Sequence, residues 1–187
     1  LPGWSMTKTM AHALPGARVQ QGKLDAKQAL TVPERQGDER RAIGFDDLLS
    51  MSAGLQWTED YADPKSDALR MLFASSDHAA AYAASARAAA PGTRFVYASG
   101  ATNLLCRVLR QTFPEDGEYW AFPRQGLFAL IGMRTAVLET DPSGTFVGSS
   151  YGFACARDWA RLGLLYLGDG AFEGRRREIS ADAVELG

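Results

Sequence analysis

The sequence predicts an α+β chain that is predominantly helical, with few and short strands. Apolar residues recur at helical spacing around residues 104–109 and again over residues 157–167. Extended patterns are confined to residues 93–97, 135–139 and 146–147. The chain has 187 residues, which fits one medium or two small globular domains.

The first third of the chain is punctuated by turn-forming residues. We expect a first helix to start near Ser5 and to be kinked or ended by Pro15. The helical pattern then resumes, and Gly22 is suited to cap it. The polar residues 31–42 predict a surface loop.

The middle of the chain is predicted to consist of short helices joined by loops. Residues 45–55 predict a short helix with acidic residues in its first turn and a glycine stop, and residues 56–66 predict a loop. Asp67 and Asp77 are suited to cap two further helices, of which the second is alanine-rich and runs through Ala90.

Three helices are predicted in the second half. After a turn at Pro91, an extended segment leads into a helix that begins near Ser99. Residues 119–130 predict another helix, which Pro123 disturbs. The last helix covers residues 157–167. Its predicted core face consists of Trp159, Leu162, Leu165 and Tyr166.

Composition argues against several classes of partner. A net charge of −2 without a basic stripe argues against nucleic acid, and the one basic run, residues 175–177, has acidic neighbours and suits a solvated face. No apolar run approaches the roughly 18 residues that span a bilayer, so we expect no membrane span. No signal-like segment is visible in this chain, which leaves the compartment open between periplasm and cytoplasm. Cys106 and Cys155 form neither a disulfide framework nor a zinc spacing, and we expect no metal or cofactor.

A Ser-x-x-Lys spacing joins Ser5 and Lys8 near the start of the chain. On a helix, residues three apart lie on the same face, so the Ser5 hydroxyl and the Lys8 amine could meet. A serine needs such a partner to accept its proton before it can attack a carbonyl. The spacing alone arises often by chance, and the case for catalysis depends on the other motifs.

Four stretches together resemble the serine β-lactamase and penicillin-binding-protein superfamily. They are residues 4–8 (WSMTK), 47–55 (DLLSMSAGL), 95–103 (FVYASGATN), and a later loop and helix at 149–153 (SSYGF) and 156–163 (ARDWARLG). Their order and spacing are most similar to the β-lactamase-related esterases and amidases of the 6-aminohexanoate-dimer hydrolase type.

The resemblance implies a β-lactamase/transpeptidase-like fold in which residues 1–187 are part of one catalytic domain. Residues 1–30 would hold the nucleophile helix, 31–155 a helical subdomain with active-site loops, and 156–187 the start of the return to the sheet. The family's third motif, a Lys- or His-x-Gly on an edge strand, is absent from the sequence. We therefore expect most of the central antiparallel sheet to be missing and the chain to be truncated at both ends.

The resemblance also assigns roles to individual residues. It implies that Ser5 is acylated, that Lys8 is its partner, and that Tyr97 faces the serine and shares the proton transfer. Ser99 stands where many family members have the Asn of Tyr-x-Asn, and it makes fewer hydrogen bonds than an amide. Ser99, Tyr61 and Trp57 are the expected substrate-binding residues. The expected substrate is a small ester, amide, peptide or β-lactam, among which the sequence does not discriminate.

Each of these assignments has a structural alternative. Tyr97 suits a core position with a satisfied hydroxyl, Ser99 a turn, and Tyr61 and Trp57 loop anchors. A nucleophile elbow of an α/β-hydrolase is disfavoured, because glycine is missing at Thr7 and no histidine follows late in the chain. A non-catalytic binding or sensor domain, or an inactive fragment, is the alternative from another functional class.

Overall fold

The computed structural model describes residues 1–25, 30, 32–35, 37–172, 178, 179 and 184, and the basic run at 175–177 lies outside them. It is predominantly helical with one small antiparallel sheet, as the sequence predicts. The α-helices are α1 (Thr7–Gln20), α2 (Phe45–Leu49), α3 (Asp67–Ala74), α4 (His78–Ala83), α5 (Ser99–Arg110), α6 (Asp116–Pro123) and α7 (Ala156–Leu167). Short 3-10 helices cover Trp4–Met6, Pro33–Arg35 and Glu39–Ala42, and a π-helical turn covers Arg124–Phe128.

Helix α1 runs through Pro15, so of the two effects expected of this proline, a kink or an end, the structure excludes the end. A proline inside a helix removes one hydrogen bond to the preceding turn. Burial outweighs that loss here, because Met10, Ala13 and Leu14 on the same helix are completely buried. Gly22 does act at the C-terminus, where its φ of +67° lets the chain reverse.

Two apolar clusters make up most of the core. One gathers the buried faces of α1, α6 and α7, and the other gathers those of α2, α4 and α5. Helix α5 contributes Cys106 and Leu109 to the first cluster and Leu104 and Leu105 to the second. It therefore lies between the clusters, and its N-terminus reaches the region of Ser5 and Lys8.

The predicted helix caps are right at one helix and wrong by one residue at another. The Asp77 carboxylate accepts the Ala80 N–H at 2.8 Å and caps α4. At α3 the cap is Ser66, and the Asp67 carboxylate instead accepts the Thr58 N–H at 2.9 Å. Asp67 thereby ties the loop before α3 to the helix.

Helix α4 ends at Ala83, well before the predicted end at Ala90. The alanine-rich segment that follows pairs with the chain after α2, through an antiparallel bridge between Leu55 and Arg87 and a 2.8 Å hydrogen bond from Gln56 N to Ala86 O. Those backbone bonds replace the helical ones, and they fix where the 56–66 loop begins.

The sheet consists of β1 (Val137–Leu138) and β2 (Gly152–Phe153), paired Val137 to Phe153 and Leu138 to Gly152. The prediction of a strand within residues 135–139 is confirmed. Phe146 forms only an isolated bridge with Thr140, so the predicted strand at 146–147 is wrong. The start of the chain pairs with the other side of β2 through a bridge from Pro2 to Phe153. In the part of the chain that the structure describes, no helix is long and apolar enough to cross a membrane.

Candidate active site

The Lys8 amine lies at the centre of a cluster of oxygen atoms. It is 3.4 Å from Ser5 Oγ, 3.1 Å from Ser99 Oγ and 3.0 Å from the carbonyl oxygen of Ser149. Lys8 is only 6% exposed, whereas Ser5 is accessible to solvent. The structure thus brings together a buried amine and an accessible hydroxyl that the sequence placed three residues apart.

The segment that carries Ser5 is held by β2 and by α1. Gly3 N donates to Gly152 O at 2.7 Å, and Gly152 N donates to the Thr7 hydroxyl at 3.1 Å. Trp4, directly before Ser5, has a φ of +43°, which is uncommon for a residue with a side chain. Such conformations persist where the surrounding structure enforces them, and they are concentrated at functional sites.

Tyr97 lies beside the same amine. Lys8 Nζ is 4.9 Å from the centre of the Tyr97 ring, a distance typical of a cation–π contact. The Tyr97 side chain is 38% exposed, so it borders the site rather than filling the core. The residue immediately after it is Ala98, the N-cap of α5, and the start of this helix fixes the position of the tyrosine.

Glu59 is a member of the site that sequence reasoning missed. Its carboxylate accepts hydrogen bonds from the Trp57 indole N–H, the Tyr61 hydroxyl and the Ser99 hydroxyl, and from the Ser99 backbone N–H at 2.9 Å. One side chain therefore joins all three predicted substrate-binding residues. Burial, followed by the hydrogen bond to Glu59, raises the pKa of Tyr61 to about 12.

A sequence signal for Glu59 exists in its spacing. Trp57, Glu59 and Tyr61 alternate along an extended loop, and alternate residues of an extended chain point to the same side. Because two of the three were expected in the site, the carboxylate between them was the residue to add. The sequence does not reveal that Ser99, forty positions later, completes the set.

The hydrogen bonds fix the directions in which protons are shared around Lys8. Ser99 donates its hydroxyl proton to Glu59, so towards Lys8 it can only accept, and the carbonyl of Ser149 can only accept as well. Two N–H groups of the Lys8 amine therefore donate to Ser99 Oγ and to the Ser149 carbonyl. The third tetrahedral position faces Ser5, where a charged amine donates a proton and a neutral amine offers its lone pair.

The wall opposite is formed by the loop at Ser149 and Ser150. Asn103 of α5 accepts the Ser149 N–H at 3.0 Å, and the hydroxyls of Ser149 and Ser150 lie 3.0 Å apart. Asn103 thus holds Ser149 in the orientation in which its carbonyl oxygen accepts from Lys8. Among the described residues, no group of three or more His, Cys, Asp or Glu side chains is placed to hold a metal ion.

Comparison with known proteins gives a family match over almost the whole chain. A protein-family model described as beta-lactamase matches residues 2–185. A solved structure from Bacillus anthracis, described as a 6-aminohexanoate-dimer hydrolase, superposes with a TM-score of 0.77 at 19% identity and covers 97% of this chain and 50% of its own.

Two further structures share the fold at similar identity. A penicillin-binding-protein homologue from Caulobacter crescentus gives a TM-score of 0.67 at 21% identity, covering 97% of this chain and 59% of its own. A D-stereospecific amidohydrolase from a Streptomyces species gives a TM-score of 0.71 at 14% identity. The superposition covers 99% of this chain and 64% of the amidohydrolase chain. The chain therefore spans less than two thirds of the length of each of these structures.

Proposed function

The chain belongs to the beta-lactamase family, and we propose that it carries the nucleophile of a serine hydrolase that cleaves small esters or amides through an acyl-enzyme on Ser5. The observation that carries this proposal is the position of the buried Lys8 amine between Ser5 Oγ, Ser99 Oγ and the Ser149 carbonyl. A solvated lysine one turn after a serine would not be held in this way by two further oxygens.

The first step is attack on the substrate carbonyl. Ser5 Oγ bonds to the carbonyl carbon, its proton passes to the neutral Lys8 amine, and the carbonyl oxygen takes the negative charge. The Ser5 backbone N–H, which lies in the first turn of a helix, supplies one donor to that oxyanion. The contacts from Ser99 and Ser149 keep the amine lone pair aimed at Ser5 during this transfer.

The second step expels the leaving group. The tetrahedral carbon re-forms its carbonyl, the bond to the leaving oxygen or nitrogen breaks, and Lys8 returns a proton to that atom with the Tyr97 hydroxyl as relay. Water then attacks the acyl carbon, Lys8 takes its proton, and Ser5 recovers its own as the carboxylic acid departs. The chain's own residues supply every proton acceptor in this sequence.

The similar structures support a hydrolase in a general sense. Their names describe a 6-aminohexanoate-dimer hydrolase and an amidohydrolase, both of which are hydrolases. At 14% to 19% identity they share the fold with this chain, and a shared fold does not carry a substrate across. The choice of ester or amide therefore needs an experiment.

A fluorophosphonate probe tests the proposal directly. The chain, and any longer natural form of it, is incubated with the probe and its intact mass is measured, alongside Ser5→Ala and Lys8→Ala. Ser76→Ala and Lys65→Ala are the matched controls, because both side chains are exposed and lie outside the site. We expect one adduct, mapped to Ser5, that both site variants lose and both controls keep.

The opposite outcome favours another function. If neither the chain nor a longer form is labelled although both are folded, the hydrolase proposal is wrong and a non-catalytic binding or sensor role takes its place. Labelling that Lys8→Ala leaves unchanged would retain the nucleophile but overturn the role of the lysine.

A further inference from the structure

An open pocket of about 370 Å³ lies directly against Ser5. Ser5 and Ser150 are its polar lining residues, and no charged side chain lines it among the described residues. The remaining lining side chains are apolar or aromatic: Trp4, Tyr61, Leu69, Leu72 and Phe73. This volume lies at the lower end of the range found for small-molecule sites.

Two large apolar side chains of this pocket are held out in solvent. Trp4 is 59% exposed and Phe73 is 70% exposed. Single exposed apolar residues are common, but several that surround one concave surface next to a nucleophile mark a binding site. A ligand with an apolar group would cover both rings and remove that surface from water.

The walls of the pocket are anchored from behind. On α3, Leu72 packs with Met71 and Val147 in a small core cluster, and the Leu72 carbonyl accepts the Tyr151 hydroxyl at 3.3 Å. On the loop, Tyr61 is fixed by its hydrogen bond to Glu59. The pocket is thus built on supported elements and is preformed for a ligand.

The groups that transfer protons do not line the pocket. Lys8, Tyr97 and Ser99 are absent from the pocket lining, although Lys8 contacts Ser5. The leaving group must lie on the Lys8 side, because it receives its proton there. The pocket side is therefore left for the group attached to the other end of the scissile carbonyl.

From this geometry we infer that the pocket binds an uncharged, apolar acyl group, so that the preferred substrates are esters or amides of medium-chain aliphatic or aromatic carboxylic acids. The inference rests on the proposed function, since it names the substrate class of the same site. A charged acyl group of the same length would have to leave water for a surface that offers its charge no partner.

The first test measures how hydrolysis depends on the acyl chain. The p-nitrophenyl esters from acetate to octanoate are compared with an ester of 6-aminohexanoate, which has hexanoate length and a terminal positive charge. We expect kcat/KM to rise about fourfold for each methylene that enters the pocket, which corresponds to about 0.8 kcal/mol per methylene. The aminohexanoate ester should be much poorer than the hexanoate ester.

A charge placed in the pocket sharpens this test. Phe73→Lys should reduce the ratio of octanoate to acetate hydrolysis at least tenfold, because an ammonium then faces the chain. Leu167→Lys is the matched control, since Leu167 is 83% exposed on α7 and is not among the pocket residues. The control should leave the ratio unchanged.

Failure of this inference can be separated from failure of the proposed function. If Ser5 is labelled by the fluorophosphonate but chain length has no effect, the apolar-pocket inference is overturned and the hydrolase proposal stands. If Ser5 is not labelled, calorimetric titration of the Ser5→Ala variant with octanamide and with 8-aminooctanamide tests the pocket alone. Selective binding of octanamide, lost in Phe73→Lys, supports the pocket, and equal or no binding of the two amides overturns it.

Discussion

The Glu59 carboxylate accepts both the backbone N–H and the hydroxyl proton of Ser99. Ser99 is the first residue of α5. The N-cap residue of this helix, Ala98, makes no side-chain capping hydrogen bond. Glu59 thus places a negative charge at the N-terminus of α5, where the helix dipole favours it. The same contact turns the Ser99 lone pairs towards Lys8. A carboxylate from another loop thereby orients the Ser99 hydroxyl.

Replacing Glu59 should impair the activation of Ser5, although Glu59 acts on Ser5 only through Ser99 and Lys8. In Glu59→Gln the amide can donate to Ser99, which frees the Ser99 hydroxyl to rotate and loosens the Lys8 amine. A misplacement of this kind costs on the order of 100-fold in rate, and we expect a loss of that order in the rate of fluorophosphonate labelling.

The control for this prediction is Asp60→Asn, which removes the neighbouring exposed carboxylate. It should leave the labelling rate unchanged. A Glu59→Gln protein whose loss of labelling rate was accompanied by a lower melting temperature would show a merely structural role for Glu59.

His12 should make the protein less stable as the pH falls below neutrality. Burial, and secondarily the charge of Lys8, lower the pKa of His12 to about 4 from its usual 6.5. Because the unfolded chain then binds the proton more readily than the folded one, stability is complete above pH 6.5 and is lost progressively towards pH 4. The expected loss between pH 7 and pH 5 is about 2 kcal/mol.

Urea unfolding at several pH values measures this effect. The variant His12→Met fills the same buried position with an apolar side chain that cannot titrate. Its stability should therefore vary much less between pH 7 and pH 5. Leu14→Met, on the same helix, is the control and should keep the native pH dependence. An unchanged slope in His12→Met would contradict the prediction.

The sequence predicts α5 and α7 well because both carry a strongly one-sided apolar pattern that tertiary packing merely confirms. It fails at Pro15, where a local signal to end the helix is overridden by burial on all sides. It fails again at Gly152 and Phe153, since two residues are too few for a strand pattern. Local signals therefore decided α5 and α7, and tertiary contacts decided α1 and β2.

In the candidate site too, contacts within one helix could be predicted from the sequence and contacts between distant segments could not. Ser5 and Lys8 were recognisable because a helix fixes the geometry of residues three apart. Glu59 had a sequence signal only in its alternation with Trp57 and Tyr61, and its contact with Ser99 had none. The contact of Ser149 with Lys8 had none either, since both contacts join distant parts of the chain. The motifs thus predicted which side chains meet, but not which groups fix the direction of each proton.

Asp158 should stabilise the junction of β1 and α7. It is only 2% exposed, and its carboxylate accepts the Thr135 N–H and hydroxyl, both at 2.7 Å, and Arg161 Nη1 at 3.1 Å. Asp158→Ala leaves those donors without a partner, and we expect the free energy of unfolding to fall by about 2 to 3 kcal/mol. Asp46→Ala removes an exposed carboxylate at the start of α2 and should cost less than about 1 kcal/mol.

The contribution of Asp158 should also depend on pH. Burial by itself raises the pKa of this carboxyl, but the hydrogen bonds from Thr135 and the charge of Arg161 outweigh it and lower the pKa below its usual value of 3.8. A lowered folded pKa means that the stabilisation is complete well above the usual value and is lost as the pH falls through the folded pKa. The difference in stability between the native protein and Asp158→Ala should therefore shrink in strong acid, and a constant difference would contradict this account.

Gly54 should tolerate an alanine substitution less well than Gly22 or Gly37. The three glycines differ in the sign of φ and in the space around Cα. Gly37 has open space around its Cα and no positive φ, and Gly22 has open space but a φ of +67°. Gly54 combines a φ of +70° with a close neighbour, because a Cβ added there would collide with the backbone carbonyl oxygen of Ala89. A left-handed conformation costs an L-residue about 1 to 2 kcal/mol, and overpacking adds about 1 to 3 kcal/mol. The alanine variants should therefore lose stability in the order Gly54, Gly22, Gly37, with Gly37→Ala close to neutral.

The consequence at Gly54 should reach the site. The Gly54 carbonyl accepts the N–H groups of Ala88 and Ala89, at 2.8 and 3.0 Å, and this pairing fixes the start of the loop that carries Glu59. Moving Ala89 away from a new methyl group breaks that pairing, so Gly54→Ala should slow fluorophosphonate labelling of Ser5 as well as lower the melting temperature. Gly22→Ala, at the far end of α1, should lower the melting temperature alone. Equal labelling rates in the two variants would show that the loop holds Glu59 in place without this pairing.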